Sequence, residues 1–513
     1  MIISIVAGIV FAVLVLAIRD VTQKKHAITR NFPVIGHLRY FFEELGQPLR
    51  QYLFSNDLEE RPYNRVTRSW VYASAKGENN LVGFGSQVDH NETGRLHIVP
   101  SMYPTLRDTD EVAPRPGVIG ADRKQPYHPL RFANISGMSF GALSPNAVRA
   151  LSGGARLAGC YMSTGEGSLS PYHIEGGGDI LYQIGPAKFG CRTDAGLFDD
   201  EKARRILDLP QVKMVEIKLA QGAKPGNGGL LPKEKITQEI AEIRGIPMGV
   251  DCQSPNRFEE CQDAQSVLHF IARVRKLTGK PIGLKMVVGS KAEAEELCYE
   301  FRRRGEGPDF IAVDGKEGGS GAVPLALADY VGLPLVDGLT IMDNALRREG
   351  LRDRITLIGS GKIATAGEVA THMAVGADIV HIGRGFLFSL GCIQALRCHT
   401  NTCPAGITTQ NRWLQAGLDP ADKAVRVMNY SKALERDLLM ITHACGLKNP
   451  RELNRRHVVV NMSPWVRKSL VDLYPYPERA TLHLHPSMAT GERELGGAHE
   501  RTTRTDQRAA AGA

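Results

Sequence analysis

The chain has 513 residues, of which 42% are apolar and 23% are charged, as is typical of globular proteins. Its length accommodates a barrel of about 250 residues together with further segments. The net charge of +8 comes without a long basic block, so nucleic-acid binding is not expected. The nine cysteines are scattered apart from one cluster, which indicates a reducing compartment rather than a disulfide scaffold.

The N-terminal stretch, residues 2–18, contains no charged residue and is almost entirely aliphatic. As a helix it would be about 26 Å long, at the short end of a membrane span. The basic residues follow it: Arg19, Lys24, Lys25 and Arg30. The positive-inside rule therefore predicts a single-pass anchor over residues 1–20 with the body of the chain in the cytoplasm. A helix buried within the fold is the alternative.

Residues 21–104 form a polar and aromatic N-terminal extension without a chemical signature. The aromatic stretch at residues 32–42 fits either the membrane surface or packing against the main domain.

From about residue 131, short apolar runs alternate with helical patterns. The eight predicted strands are residues 132–138, 160–163, 212–218, 248–252, 281–288, 309–313, 355–358 and 378–382. This alternation predicts an α/β fold, a closed (β/α)8 TIM barrel within residues 105–450. An open doubly wound sheet is the alternative, because alternation alone does not prove closure. Residues 451–513 form a C-terminal extension, and its end from about Met488 has a composition that predicts disorder.

Active sites in such barrels lie at the carboxyl ends of the strands, where this chain carries glycine-rich loops. The loops after the seventh and eighth predicted strands, at residues 359–362 and 383–385, stand where barrels often bind a phosphate. Lys285, within the fifth predicted strand, is expected to be a site group because a barrel interior tolerates an unpaired lysine poorly.

Polar side chains suited to a dicarboxylate follow the predicted strand at residues 212–218. They are Lys218, Gln221 and Lys224, next to several glycines. Glu166 is either a turn carboxylate or a site residue. Arg244 ends a predicted helix, where charge compensation at the helix terminus is the simpler interpretation.

Three cysteines, Cys392, Cys398 and Cys403, lie close together in the sequence and are followed by Pro404. Clustered thiolates select zinc or iron–sulfur clusters. Three ligands fit a 3Fe-4S cluster, whereas a zinc site completed by His399 is the alternative. A phosphate loop followed by a redox metal indicates a flavin that exchanges single electrons.

Four motifs, at residues 138–141, 164–167, 218–226 and 392–404, occur in an order that resembles the FMN-binding synthase domain of glutamate synthases. The likeness extends over roughly residues 105–450. It implies FMN and a 3Fe-4S cluster as cofactors, and reduction of 2-iminoglutarate made from 2-oxoglutarate and ammonia.

The resemblance also implies roles for individual residues. Gln221, Lys224 and Arg244 would hold the substrate, with Glu166 and Lys224 as the catalytic pair beside the flavin. Cys392, Cys398 and Cys403 would bind the cluster. The FMN contacts would be Met138, Ser139, Ser163, Lys285, Gly318, Gly319, Gly359, Gly361, Gly383 and Gly385.

The chain also departs from the large glutamate synthase subunits. They begin with a glutaminase domain that uses an N-terminal cysteine, whereas the first cysteine here is Cys160 and an apolar segment occupies the front. We therefore expect a stand-alone, membrane-anchored oxidoreductase acting on CH–NH2 groups, supplied with electrons by an external carrier such as a ferredoxin or a reductase subunit. The alternatives are a relative that uses an amine donor and forms N-alkylglutamate, or a membrane-tethered electron-transfer or sensing module.

Overall fold

The computed structural model describes residues 1–79, 81–106 and 113–478. The C-terminal end that the sequence predicts to be disordered lies outside these residues.

A closed barrel of eight parallel strands forms the centre of the molecule and confirms the predicted (β/α)8 fold. The strands, named β1 to β8 in chain order, are Ala133–Ile135, Met162–Ser163, Ile180–Ile184, Val212–Lys218, Ile282–Met286, Phe310–Asp314, Thr356–Ser360 and Ile379–Ile382. β8 pairs with β1, which closes the ring. Most strand positions are buried on both faces, because the interior is filled with side chains and helices cover the outside.

One predicted strand is wrong and one was missed, although eight is the correct number. The predicted fourth strand, residues 248–252, lies outside the barrel, where Met248 is 56% and Val250 is 52% exposed. Only Cys252–Gln253 is extended there, and it pairs antiparallel with Leu230–Leu231 in the connection between β4 and β5. The missed strand is β3, which is buried at all five positions.

Helices alternate with the strands as expected. Those described within and after the barrel are Pro145–Ala158, Pro171–Glu175, Asp200–Leu207, Gln238–Arg244, Ala264–Arg275, Lys291–Arg304, Leu325–Tyr330, Leu335–Arg348, Ala366–Val375, Arg384–Ser389, Arg412–Gln415, Pro420–Ala444 and Leu470–Leu473. Sequence signals explain their starts: the Ser144 side chain accepts a hydrogen bond from the Ala147 N–H, and Pro145 occupies the first turn.

The N-terminal segment is also helical, over Ile2–Thr22, Ala27–Asn31, Gly36–Leu49 and Arg65–Lys76, with a π-helical turn at Arg50–Phe54. The first of these helices is long and apolar enough to cross a membrane, and none of its apolar window is buried. A signal sequence has the same properties.

Segments from both ends of the chain lie against the barrel. Leu96–Ile98 pairs antiparallel with Val458–Ser463, which in turn pairs with Val466–Ser469. The two extensions therefore share one small sheet.

Candidate active site at the carboxyl ends of the barrel strands

A cavity of about 250 Å³ opens at the carboxyl ends of the strands. Its walls come from the loops after β1, β2, β4, β6, β7 and β8. The predicted site residues that line it are Met138, Ser139, Glu166, Gln221, Lys224, Lys285, Gly318, Gly319, Gly361, Gly383 and Cys398. Closure of the barrel therefore brings together residues that are up to 260 positions apart in the sequence.

Glu166 is one of two acidic groups that line the cavity, with Asp314, and it is surrounded by cations. Its Oε2 lies 3.4 Å from the Lys218 Nζ, and that amine donates a hydrogen bond to Gln221 Oε1 at 3.0 Å. Burial alone would raise the pKa of Glu166, but Lys218, Arg244 and Lys224 outweigh it and bring the pKa below its usual value. The carboxylate is therefore ionised at neutral pH.

Gln221 and Lys224 connect the loop after β4 to the loop after β6. The Gln221 Nε2 donates to the Gly319 carbonyl at 3.3 Å, and the Lys224 Nζ donates to the Ala322 carbonyl at 2.9 Å. Lys224 is only 2% exposed, and burial lowers the pKa of its amine. A cation in so little water binds an anion more strongly than a surface lysine does.

Arg244 is not among the residues lining the cavity, although it is 4% exposed and lies near Glu166. It ends the helix Gln238–Arg244, and its guanidinium donates to the Phe140 carbonyl at 2.7 Å and to Ser139 Oγ at 3.3 Å. Arg244 thus supports the Ser139–Phe140 loop from behind.

The floor of the cavity contains a second charge pair, Lys285 and Asp314, with Nζ and Oδ1 3.5 Å apart. Asp314 also accepts a hydrogen bond from the Gly222 N–H at 2.7 Å. The sequence argument identified Lys285 but missed Asp314, which ends β6.

Further polar strand residues on the floor were also missed. The Gln183 amide donates to Glu216, and Tyr161 Oη lies 2.7 Å from His381 Nε2. Burial lowers the pKa of His381 to about 3, so the ring is neutral at physiological pH. The signal that identified Lys285, a polar residue within a predicted barrel strand, applies equally to Glu216 and His381, but not to Gln183, whose strand was itself missed.

Small residues allow a close backbone approach on the β1 and β2 side of the cavity. A Cβ at Gly165 would lie 2.7 Å from the Ser139 nitrogen, and one at Gly137 would lie 3.0 Å from Gln183 Nε2. Gly165 also has a φ of +65°, which favours glycine.

Three of the predicted flavin contacts lie off the cavity wall. A Cβ at Gly359 would contact Leu339 at 3.3 Å, and one at Gly385 would lie 2.3 Å from Tyr430 Oη, so both glycines allow close packing. Ser163 is fully buried.

The cysteine loop, residues 391–404, lies beside the cavity and reaches it at Cys398. Burial raises the pKa of Cys392 to about 12, and the neighbouring thiols of Cys398 and Cys403 contribute to the rise. The Lys235 amine donates to the Cys398 carbonyl at 3.3 Å and to the Ala142 carbonyl at 2.7 Å. Within the described part of the chain, no group of three or more His, Cys, Asp or Glu side chains is placed to hold a single metal ion.

Comparison with known proteins gives one family. A sequence model of the conserved region in glutamate synthase matches residues 109–448. A glutamate synthase large subunit-like protein of Bacillus subtilis is 40% identical over 480 residues, which cover 86% of this chain and 91% of that protein. The archaeal glutamate synthase [NADPH] of Methanocaldococcus jannaschii is 34% identical over 321 residues, or 62% of this chain and 60% of that protein. Among solved structures, a mandelate oxidase aligns at 17% identity with a TM-score of 0.44, covering 76% of this chain and 98% of that one.

The family match extends from residue 109, before β1, to residue 448, just after the long helix Pro420–Ala444, and so includes every barrel strand and the cysteine loop. The chain therefore belongs to the glutamate synthase family and is an oxidoreductase.

Proposed function

We propose that this protein binds FMN in the barrel cavity and reduces 2-iminoglutarate, formed from 2-oxoglutarate and ammonia, to glutamate. The observation that carries the proposal is the group of Glu166, Lys218, Gln221 and Lys224 at one wall of the cavity. It is a set of cations and an amide around one ionised carboxylate, in which Lys224 is buried and the other three side chains are partly exposed to the cavity.

The residues present fit a flavin. Gly137 and Gly165 line the cavity and let the loops after β1 and β2 pack closely, so this part of the wall is backbone without side chains, against which a flat ring can lie. We assign the ring to Met138, Ser139 and Lys285, and the phosphate to the loops around Gly361 and Gly383, the usual place in such barrels. When bound, FMN supplies a hydride to the imine carbon.

The substrate would lie between the flavin site and the loop after β4. Gln221 and Lys224 bind one carboxylate of 2-oxoglutarate, and Arg244 contributes positive charge through the Ser139 loop.

The reaction consumes one hydride at carbon and one proton at nitrogen. The lowered pKa of Lys224 makes its ammonium a better proton donor than an ordinary lysine. Glu166 is ionised and so cannot donate a proton. Its negative charge holds the cationic nitrogen of the imine and compensates the positive charge of Lys218.

The three cysteines fit a 3Fe-4S cluster by number and ligand chemistry. The thiols of Cys392, Cys398 and Cys403 are close enough to influence one another, and the Lys235 ammonium beside them favours thiolates. A cluster supplies single electrons, which an external carrier such as a ferredoxin or a reductase subunit would deliver.

We further propose that Ile2–Thr22 is a single membrane span with the barrel on the cytoplasmic side. None of the helix's apolar window is buried, and the basic residues that follow it satisfy the positive-inside rule.

The substrate assignment is tested with Lys224→Ala. Titration of the flavin-loaded protein with 2-oxoglutarate, followed by flavin absorbance, should give a dissociation constant about 10- to 100-fold higher than that of the parent, as expected for loss of a buried charged hydrogen bond. The control is Lys291→Ala, whose side chain is 68% exposed. Equal dissociation constants for Lys224→Ala and the parent would refute the dicarboxylate site.

A further inference from the structure

We propose that the helix Gly36–Leu49 lies flat on the lipid surface and that the cysteine loop is thereby held next to the membrane. The proposal rests on the proposed membrane anchor, and it concerns a segment to which the family match does not extend.

The helix has an apolar stripe that the described part of the protein covers only partly. Leu38, Phe41, Phe42 and Leu45 recur at the spacing of one helical face and are between 37% and 60% exposed. A soluble protein would turn such a face inward, because each of these side chains is more stable away from water.

The opposite face of the helix contacts the protein through polar groups. The Gln47 Nε2 donates to the Ala395 carbonyl at 3.4 Å. Gln51, one turn further on, donates to the Ile393 carbonyl at 2.9 Å. The usual arrangement is thus reversed: amides face the cysteine loop and aromatic side chains face outward. That reversal is typical of a helix in a lipid interface rather than of one packed on a core.

The helix is also tied to the end of the apolar helix Ile2–Thr22. Asp20, which is 2% exposed, accepts hydrogen bonds from the Val34 N–H at 2.8 Å and from His37 Nε2 at 2.9 Å. Because Asp20 stands at the end of the proposed span, the apolar stripe begins where the lipid headgroups would be.

The charges of this segment fit a negatively charged lipid surface. Residues 21–50 carry five exposed basic side chains, Lys24, Lys25, Arg30, Arg39 and Arg50, against two exposed acidic ones, Glu43 and Glu44, which gives a net charge of +3. Basic side chains beside an apolar stripe are attracted to anionic headgroups while the stripe enters the acyl boundary. The structure therefore favours an anionic bilayer as the occupant of this face.

The position of the cysteine loop follows from these contacts. One helix separates the loop from the lipid, which is about 10 Å. The Tyr72 hydroxyl also donates to the Cys392 carbonyl at 2.6 Å, so the loop is attached to the same N-terminal segment at a second point. An electron carrier that approaches the loop from this side would do so along the membrane.

The test uses the full chain in vesicles of phosphatidylcholine and phosphatidylglycerol that contain brominated lipids, which quench tryptophan. Phe42→Trp places the probe on the apolar stripe, and Glu43→Trp places a matched probe on the neighbouring polar face. After subtraction of the parent signal, Phe42→Trp should be quenched several-fold more than Glu43→Trp and should emit at shorter wavelength. Phe41→Asp introduced with Phe42→Trp should abolish this difference while the protein stays in the membrane.

Two results would overturn the proposed surface contact in protein that resists carbonate extraction: equal quenching of the two probes, or quenching of neither. Both results would leave the anchor intact. Release of the parent protein by carbonate would instead refute the anchor, and the surface contact with it.

Discussion

At the scale of single residues, the cavity is built from charges that compensate one another away from water. Glu166 is stabilised as a carboxylate by Lys218, Lys224 and Arg244, and Lys285 lies beside Asp314. Such arrangements are stable only when both partners are present, because an unpaired buried charge costs several kcal/mol (about 3 to 5). Changes to either member should therefore be visible in stability as well as in binding.

Lys285→Met tests whether removing one member of the charge pair on the cavity floor lowers both stability and flavin binding. It leaves Asp314 buried without its cation, so we expect a loss of about 2 to 4 kcal/mol in the free energy of unfolding and a loss of bound flavin. Denaturant unfolding and flavin content after gel filtration measure the two effects. The double variant Lys285→Met/Asp314→Asn should recover most of the stability but not the flavin. If the double variant recovered both stability and flavin, or neither of them, the assignment of Lys285 to the flavin site and to the charge pair with Asp314 would be contradicted.

Gly229→Ala tests the placement of Glu166. A Cβ at this position would collide with Glu166 Oε1, so the carboxylate must shift from its present position. We expect kcat to fall about 10-fold or more, since misplacing a catalytic group by a fraction of an ångström is costly. Gly367→Ala, in a helix with no atom within 4 Å of the added Cβ, is the control and should keep its kcat. If Gly229→Ala kept the kcat of the parent, Glu166 would have no role in the reaction.

At the scale of elements, the sequence predicts the strands whose apolar runs are long and misplaces those that depend on tertiary context. β4, Val212–Lys218, carries four apolar residues, three of them β-branched, and was predicted with its observed bounds. β3 was missed; its five-residue run closely follows three glycines, Gly176 to Gly178, a composition typical of loops. Residues 248–252 have a similar apolar pattern but lie in the long connection after β4, where a two-residue strand pairs locally.

Site residues, like strands, are predictable from the sequence only where they do not depend on tertiary context. Lys218, Gln221 and Lys224 could be found because they lie together in one loop next to glycines. Asp314 and Gln183 lie on different strands, and only barrel closure brings them to the cavity floor.

The long helix Pro420–Ala444 carries a prediction about pH. The Glu435 carboxylate accepts a hydrogen bond from the Phe132 N–H at 2.8 Å, and burial raises its pKa to about 7. The unfolded chain, with a pKa of about 4.3, ionises first, so the protein loses stability as the pH rises through this window to about 7. Glu435→Gln should therefore stabilise the protein by about 1 to 3 kcal/mol at pH 8 and much less at pH 4.5.

Thermal unfolding at the two pH values measures this effect. Glu78→Gln, whose parent side chain is 58% exposed, is the control and should show no such dependence on pH. A Glu435→Gln variant with the same stability difference at both pH values would contradict the raised pKa.

At the scale of the whole molecule, the N-terminal extension and the cysteine loop form one unit beside the barrel. The Gln394 side chain accepts a hydrogen bond from the Tyr63 N–H at 3.1 Å and donates to the Tyr63 carbonyl at 3.0 Å. Sequence patterns could not predict this contact, because the extension has no chemical signature and the two partners are 331 positions apart. The extension therefore connects the proposed membrane anchor to the proposed redox centre.

The central claim is that reduced flavin in this cavity transfers its electrons to 2-iminoglutarate. The direct measurement is anaerobic: the purified full-length protein is photoreduced, 2-oxoglutarate and ammonium are added, and the flavin absorbance and glutamate are followed together. The proposed function predicts that the oxidised flavin bands return only when both compounds are present, and that one glutamate forms per two electrons. Flavin that stays reduced with both compounds, in protein shown to contain FMN, would contradict it.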